Sequence, residues 1–459
     1  MHQYFRPGGR FFAGDAMPFS HAGVFHLFYL LDEEHHQALG GLGGHQWAHA
    51  TTTDLAEWVH QPLAIGITDA SEGSICTGSV FFHDGVYYGF YATRNRDRTQ
   101  HLSLATSHDG IHFTKQQPNP LAVPGPGYSP YHFRDPFVFR NEATGPFHML
   151  VTAKLEPYPV TGYGGCLAHL VSSDLHQWEQ VEPFVIPGHA DVPECADLFA
   201  WNGWYYLIFS NSLVARYRMA RHPLGPWQTP PVDILDGRLA RVMKTAAFTG
   251  NRRLGVAWLG TREGNRDDGR LQWGGHLLFR ELLQQEDGTL HIRFAPELAL
   301  PTGPVLQHIL TPLTGGVMAG DTALRLDGDQ GLAVAMLTDI PQNVRITLTV
   351  EPTTGTGVYG LSLRSTADFA DGYELLLDPI ARMVRLHEEA IYAVEGLDRP
   401  LCLEIVFYED MIDVCVDERR CIINRCPERR GDRLYLFAHN SAITVTDLQI
   451  RPIKQEMNA

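Results

Sequence analysis

Gly23-Val-Phe-His-Leu-Phe-Tyr29 returns as Gly85-Val-Tyr-Tyr-Gly-Phe-Tyr91, as Gly145-Pro-Phe-His-Met-Leu-Val151 and as Gly203-Trp-Tyr-Tyr-Leu-Ile-Phe209, with a weaker fifth copy in Leu254-Gly-Val-Ala-Trp258. The copies stand roughly 50 to 60 residues apart, a period that marks a repeat architecture. Each opens on a turn residue and runs on in aromatic and β-branched residues, the signature of a hairpin strand. A second element follows: Ala48 to Trp58, Leu104 to Phe113 and Ala168 to Trp178 each read as a strand, a Ser/Thr-Asp turn and a closing aromatic, and Ala220 to Trp227 is a degenerate version. Two elements recurring in one order, five times over, predict an all-β five-bladed β-propeller over residues 1–300.

In a propeller the innermost strands line a central channel, so a polar residue at the same point of each blade faces one pocket. Ahead of the five hairpins stand Asp15, the Thr77-Gly78-Ser79 segment, Asp135, Glu194 and Lys244. Asp15, Asp135 and Glu194 thus converge, although far apart in sequence. Carboxyls gathered in a polar channel suit glycosidic cleavage, where one protonates the leaving oxygen and another attacks the anomeric carbon or activates water. Crowding of acids raises one pKa and leaves another ionised.

Residues 301–320, rich in Thr, Pro and Gly, read as a linker, and residues 321–459 as a β-sandwich of about ten short strands such as Val344 to Val350 and Leu403 to Phe407. The whole chain has 459 residues, 44% of them hydrophobic, and a formal net charge of -16. That charge speaks against a protein that tracks nucleic-acid phosphates or rests on an anionic membrane. No apolar run reaches the ~18 residues of a membrane helix, and the start carries no apolar signal-peptide core, so a cytoplasmic protein is expected. The 23 histidines predict a sharp change of charge near pH 6. Seven cysteines without paired CxxC spacing point to reduced, structural thiols. No metal site or cofactor is expected; His35, His36 and His45 beside the Leu39–Gly44 loop match no ligand spacing.

Together these motifs resemble glycoside hydrolase family 32, the invertases and fructan hydrolases, across nearly the whole chain. His132-Phe-Arg-Asp-Pro136 resembles the family's RDP motif, Pro193-Glu-Cys195 its EC motif, Cys76-Thr-Gly-Ser79 its SGS-type segment and Trp47-Ala-His-Ala50 its WGHA segment. Phe279-Arg-Glu-Leu-Leu283, Asp287-Gly-Thr-Leu290 and Pro296-Glu-Leu298 resemble the end of its propeller. The resemblance implies a propeller followed by a sandwich, and roles: Asp15 as nucleophile, Glu194 as general acid and then base, and Asp135 with Arg134 holding ring hydroxyls. Configuration would be retained, with nucleophile and acid roughly 5 to 5.5 Å apart. The first motif departs from the family: Gly14, Ala16 and Met17 surround Asp15, and Leu30 stands where a glutamine is usual. Those lost amides normally contact the sugar, so a linked or cyclic difructoside enters beside short fructo-oligosaccharides as substrate.

Trp47, Thr77, Ser79, Cys195 and Lys244 join Arg134 as candidate substrate contacts. Three of them have a plainer reading: Trp47 as blade filler, Cys195 as packing, Lys244 as half of a structural ion pair. Asp54, Asp109 and Asp174 read as turn caps without chemistry. Beside the hydrolase stand a fructosyltransferase, an arabinofuranosidase-like inverting propeller and a binding propeller without catalysis. The partner expected is an oligosaccharide; a homodimer is compatible with the sequence but not specified by it.

Overall fold

In the computed structural model, which describes residues 1–320, 322–353 and 357–454, the repeats are hairpins of antiparallel sheets, the first and fifth sharing one sheet. Residues 321, 354–356 and 455–459, counted above with the second domain, lie outside the described residues. The chain divides into two compact units: 1–260 with 272–290 and 295–298, and 261–271 with 291–294 and 299–459.

In the first unit, Phe12–His21, Val24–Asp32, Gln46–Thr52 and Val59–His60 pair in order. Glu72–His83, Val86–Asn95, Gln100–Ser107 and Thr114–Lys115 form a second sheet, and Tyr128–Arg140, Phe147–Leu155, Gly165–Ser172 and Glu179–Val185 a third. The fourth has only Glu194–Trp201, Trp204–Asn211 and Val214–Ala220. Its outer position falls on the degenerate repeat, where Pro223, Pro226, Pro230 and Pro231 remove the backbone donors a further strand needs. Arg241–Phe248, Arg252–Arg262 and Leu271–Gln284 complete the set and join the first sheet through the Gly275 and Ala13 pair. The leading strands touch in the order Phe12–His21, Glu72–His83, Tyr128–Arg140, Glu194–Trp201, Arg241–Phe248, and the last touches the first again.

The repeated turn has one construction. Asp54, Asp109 and Asp174 each accept, through Oδ1, from the amides two and three residues on. Thr52, Ser107 and Ser172 receive the following turn amides. These bonds hold the Asp54 and Asp174 carboxyls below the usual range, and the His112 ring together with the turn amides does the same for Asp109, so all three are caps, as their sequence suggests.

The second unit stacks two seven-stranded sheets over a shared apolar core that includes Leu326, Ile346, Leu361, Leu375, Phe407 and Val414. The stretch expected as a linker contributes an edge strand to each: Leu310–Pro312 pairs with Leu332–Leu337, and Val317–Ala319 with Ala323–Asp327. All seven cysteines are free. Among the described residues no helix is long and apolar enough to cross a membrane.

Candidate active site

Each leading strand of the first unit breaks register at the same place. Opposite a single partner residue stand two: Gly14-Asp15, Cys76-Thr77, Asp135-Pro136, Cys195-Ala196 and Val242-Met243. Such bulges re-aim side chains and recur beside functional sites. Asp135 and Cys195 pass through the left-handed region, at φ 55° and 57°, a backbone cost that strand pairing alone would not select. The five bulges gather Asp15, Thr77, Asp135 and Cys195 with Arg134 and Glu194, which occupy the positions just before theirs.

Asp15 accepts from the Thr77 hydroxyl at 2.6 Å and from the Trp258 indole Nε1 at 2.7 Å. The Cys195 thiol lies 3.8 Å from the same Oδ2 that Thr77 reaches. Asp135 Oδ2 accepts from the Cys195 amide at 3.2 Å and from the Thr152 hydroxyl at 3.0 Å. Arg134 spans two of the acids: Nη2 donates to Glu194 Oε1 at 2.6 Å, and Nε lies 3.6 Å from Asp135 Oδ2. The Glu194 side chain keeps 34% of its surface exposed, whereas that of Asp135 keeps 3%, so Glu194 is the acid open to a leaving group or water.

The electrostatics separate the groups. Burial pushes Asp15 up from 3.8 to about 6, helped by the charges of Asp135 and Glu194 and opposed by its bonds to Thr77 and Trp258. Burial works against the Arg134 charge, but Glu194 and Asp135 overcome it and hold the guanidinium protonated. Burial and the three carboxylates drive the Cys195 thiol well above its ordinary value, so it is no thiolate nucleophile. Because folded Asp15 keeps its proton to higher pH than the unfolded chain does, ionising it costs stability between pH 3.8 and about 6, by up to about 3 kcal/mol. Asp15→Asn is therefore expected to raise the urea midpoint at pH 7 and to lose that advantage near pH 4; an equal gain at both would contradict the burial of the charge.

Residues 5–224 match the model described as glycosyl hydrolases family 32 N-terminal domain. Over those residues the chain is similar to glycoside hydrolase family 32. It is 28% identical over 293 residues to the sucrose-6-phosphate hydrolase of Escherichia coli, covering 58% of each chain. To the raffinose invertase of Escherichia coli it is 28% identical over 331 residues, covering 65% of this chain and 66% of the other. The chain thus matches less than two thirds of the length of either relative. Among solved structures, exo-inulinase from Aspergillus awamori superposes with a TM-score of 0.72 at 16% identity, over 99% of this chain and 98% of that one. Sucrose-6-phosphate hydrolase from Lactobacillus gasseri does so with 0.71 at 16%, over 99% and 93%. At those identities the likeness is one of fold.

Three of the expected contacts are structural instead. Trp47 is fully buried among Phe28, Leu30 and Ile75, and its indole donates to the Cys76 carbonyl at 2.8 Å, so it has no face for a sugar. Ser79 gives its hydroxyl proton to the Pro136 carbonyl and accepts from the Val138 amide, tying the second sheet to the third. Lys244 is buried and donates to the Gly78 and Ala196 carbonyls at 3.1 and 3.0 Å, a strap across three sheets rather than half of an ion pair. Thr77 and Cys195 sit at the site but act on its carboxylates. Leu30 and Met17 pack in the same apolar cluster as Trp47, so the departures from the family pattern fill a core. Sequence reading missed Trp258 and Thr152, which hold Asp15 and Asp135, and Gln100, whose Oε1 accepts from the Phe133 amide beside Arg134. Among the described residues no group of three His, Cys, Asp or Glu is placed to hold a metal.

Proposed function

We propose that this chain is a retaining β-fructosidase that releases fructose from short fructo-oligosaccharides or related difructosides, and that its ring of sheets is a five-bladed propeller. The convergence of Asp15, Asp135 and Glu194, with Arg134 bridging the last two, carries the reading. The contact of the fifth leading strand with the first supports the propeller.

In the proposed reaction the fructosyl ring lies against Asp135 and Arg134, which take its hydroxyls. Asp15, ionised, attacks the anomeric carbon as the bond to the leaving oxygen breaks, and Glu194 gives that oxygen its proton. The result is a fructosyl ester of Asp15. Glu194, now a carboxylate, takes a proton from water; the hydroxide adds to the anomeric carbon and the ester bond breaks, returning Asp15 to its ionised state. Attack twice on one carbon retains its configuration. The relatives named sucrose-6-phosphate hydrolase and raffinose invertase support a β-fructosyl donor and hydrolysis.

Fructose release from sucrose, kestose, inulin, levan and difructose anhydrides, with arabinan oligomers as the control, tests this. Fructose from at least one fructoside is expected, with short substrates preferred. Arabinose alone would replace the reading with that of an arabinofuranosidase-like enzyme, and no product from any of them would leave a binding protein.

A further inference from the structure

Trp273 lies so close to Gly14 that a Cβ on residue 14 would stand 2.0 Å from its Cη2 and 2.6 Å from Cζ2 and Cζ3. Glycine is the one residue that leaves the ring this room. The ring is therefore pressed on the backbone beside Asp15. It also sits 5.2 Å, centre to centre, from Trp258, the indole that donates to Asp15. Trp258 is buried, whereas Trp273 is partly exposed.

Trp273 is gripped by a polar group that the proposed chemistry does not use. The His45 ring stacks on it at 4.2 Å and 15°. His45 is buried, and its Nε2 lies 3.1 Å from Asp32 Oδ1, which also accepts from the His36 amide at 2.9 Å. The His45 backbone is fixed to the second sheet, its amide donating to Ser74 Oγ and its carbonyl accepting from the Ile75 amide. Arg94 reaches the far side of His36 at 2.7 Å, and His36 Nδ1 lies 3.2 Å from His45 Nε2. The Asp32 side chain has no exposed surface, and its Oδ2 has no hydrogen-bond partner among the described residues. Burying a carboxylate with one oxygen unmet is costly, and a packed apolar group would cost less, so stability does not explain Asp32.

We propose that Asp32 and His45 are positioning residues that hold Trp273 flat against Gly14, and that Trp273 so held is a water-excluding aromatic wall beside the Asp15 carboxylate. The catalytic half of this rests on Asp15 being the nucleophile; the positional half does not. A poorly solvated carboxylate sheds less water on attack, and the upward push of burial on Asp15 agrees with such a wall. The charged groups facing Asp15 are Asp135 and Glu194, with Arg134 paired to both; those facing His45 are Asp32 and Arg94, beside His36.

The test combines fluorescence with kinetics. Acrylamide quenching, read against Trp273→Phe to isolate the Trp273 signal, is expected to rise in Gly14→Ala, His45→Leu and Asp32→Asn. His45→Phe, which keeps a ring on the indole, is expected to restore protection. On the fructoside preferred in the panel, Gly14→Ala and His45→Leu are expected to lower kcat about 10-fold or more with KM within about 3-fold. In a Trp273→Ala background the same changes are expected to alter kcat by no more than about 2-fold, because the wall they act through is gone. Unchanged quenching in all three variants, or the full kcat loss persisting without Trp273, would overturn the proposal. If the wild-type protein cleaves no fructoside, it is the β-fructosidase reading that fails, and quenching alone decides whether Asp32 and His45 hold Trp273.

Discussion

Asp15→Ala is expected to lower kcat/KM on any accepted fructoside by about 10⁴-fold or more, with the fold intact. The size follows from the position of the group. Asp15 lies in a bulge of the first leading strand, held by Thr77 and Trp258 and facing two further acids. Among the described residues the one thiol beside it, that of Cys195 at 3.8 Å, is kept protonated by burial and by the carboxylates around it. Folding should survive because two effects oppose each other. Removing the carboxylate leaves the Thr77 and Trp258 donors without their acceptor, about 1 to 3 kcal/mol each if water does not replace it. It also removes a charge whose burial is unfavourable. Azide in the vacated space is expected to restore part of the rate and to yield a fructosyl azide of inverted configuration, which separates a missing nucleophile from a damaged pocket. Retention of more than a few per cent of wild-type activity in a folded variant would remove Asp15 from the nucleophile's role.

Glu194→Gln is expected to cost about 10² to 10⁴-fold on sugars with poor leaving groups. The amide keeps an oxygen for Arg134, so the 2.6 Å bond and the strand geometry should persist, and the loss isolates proton transfer. With a p-nitrophenyl fructoside, whose leaving group needs no proton, the first step should run at near its normal rate while the second, which needs a base, stalls. A burst of p-nitrophenol followed by slow turnover is the expected trace. Equal losses on both leaving groups would instead make Glu194 a residue that orients Arg134.

The repeat was legible because its hairpins combine a turn residue with aromatic runs, and the acids because they precede those hairpins at near-constant spacing. What the spacing cannot express is the bulge. A single inserted residue decides whether a side chain turns into the site or between sheets. That is why Ser79 and Lys244, only two residues and one residue past bulged positions, end up as ties between sheets, and why Trp47 is covered by chain that arrives later, at Ile65. Gly14 carried more information than its plain reading: a glycine inside a strand, beside a carboxylate, announces that something approaches closely, and the approaching group is Trp273. The expectation of a sharp charge change near pH 6 fails for part of the histidines, since burial pulls His26 and His169 down to about 4 and His36 and His49 to about 3. The edge strands at Leu310–Pro312 and Val317–Ala319 were hidden because each is only three residues long and lies in a stretch rich in Thr, Pro and Gly, too short to show the alternation of longer strands.

The covalent role of Asp15 is most directly tested by mass spectrometry of Glu194→Gln, quenched with acid during turnover of p-nitrophenyl β-fructofuranoside and digested. One fructosyl group on the peptide that contains Asp15 is the predicted result, because the ester forms and its hydrolysis is slowed. A burst of p-nitrophenol with the sugar on any other residue, or with no adduct and a first product of inverted configuration, would contradict the account.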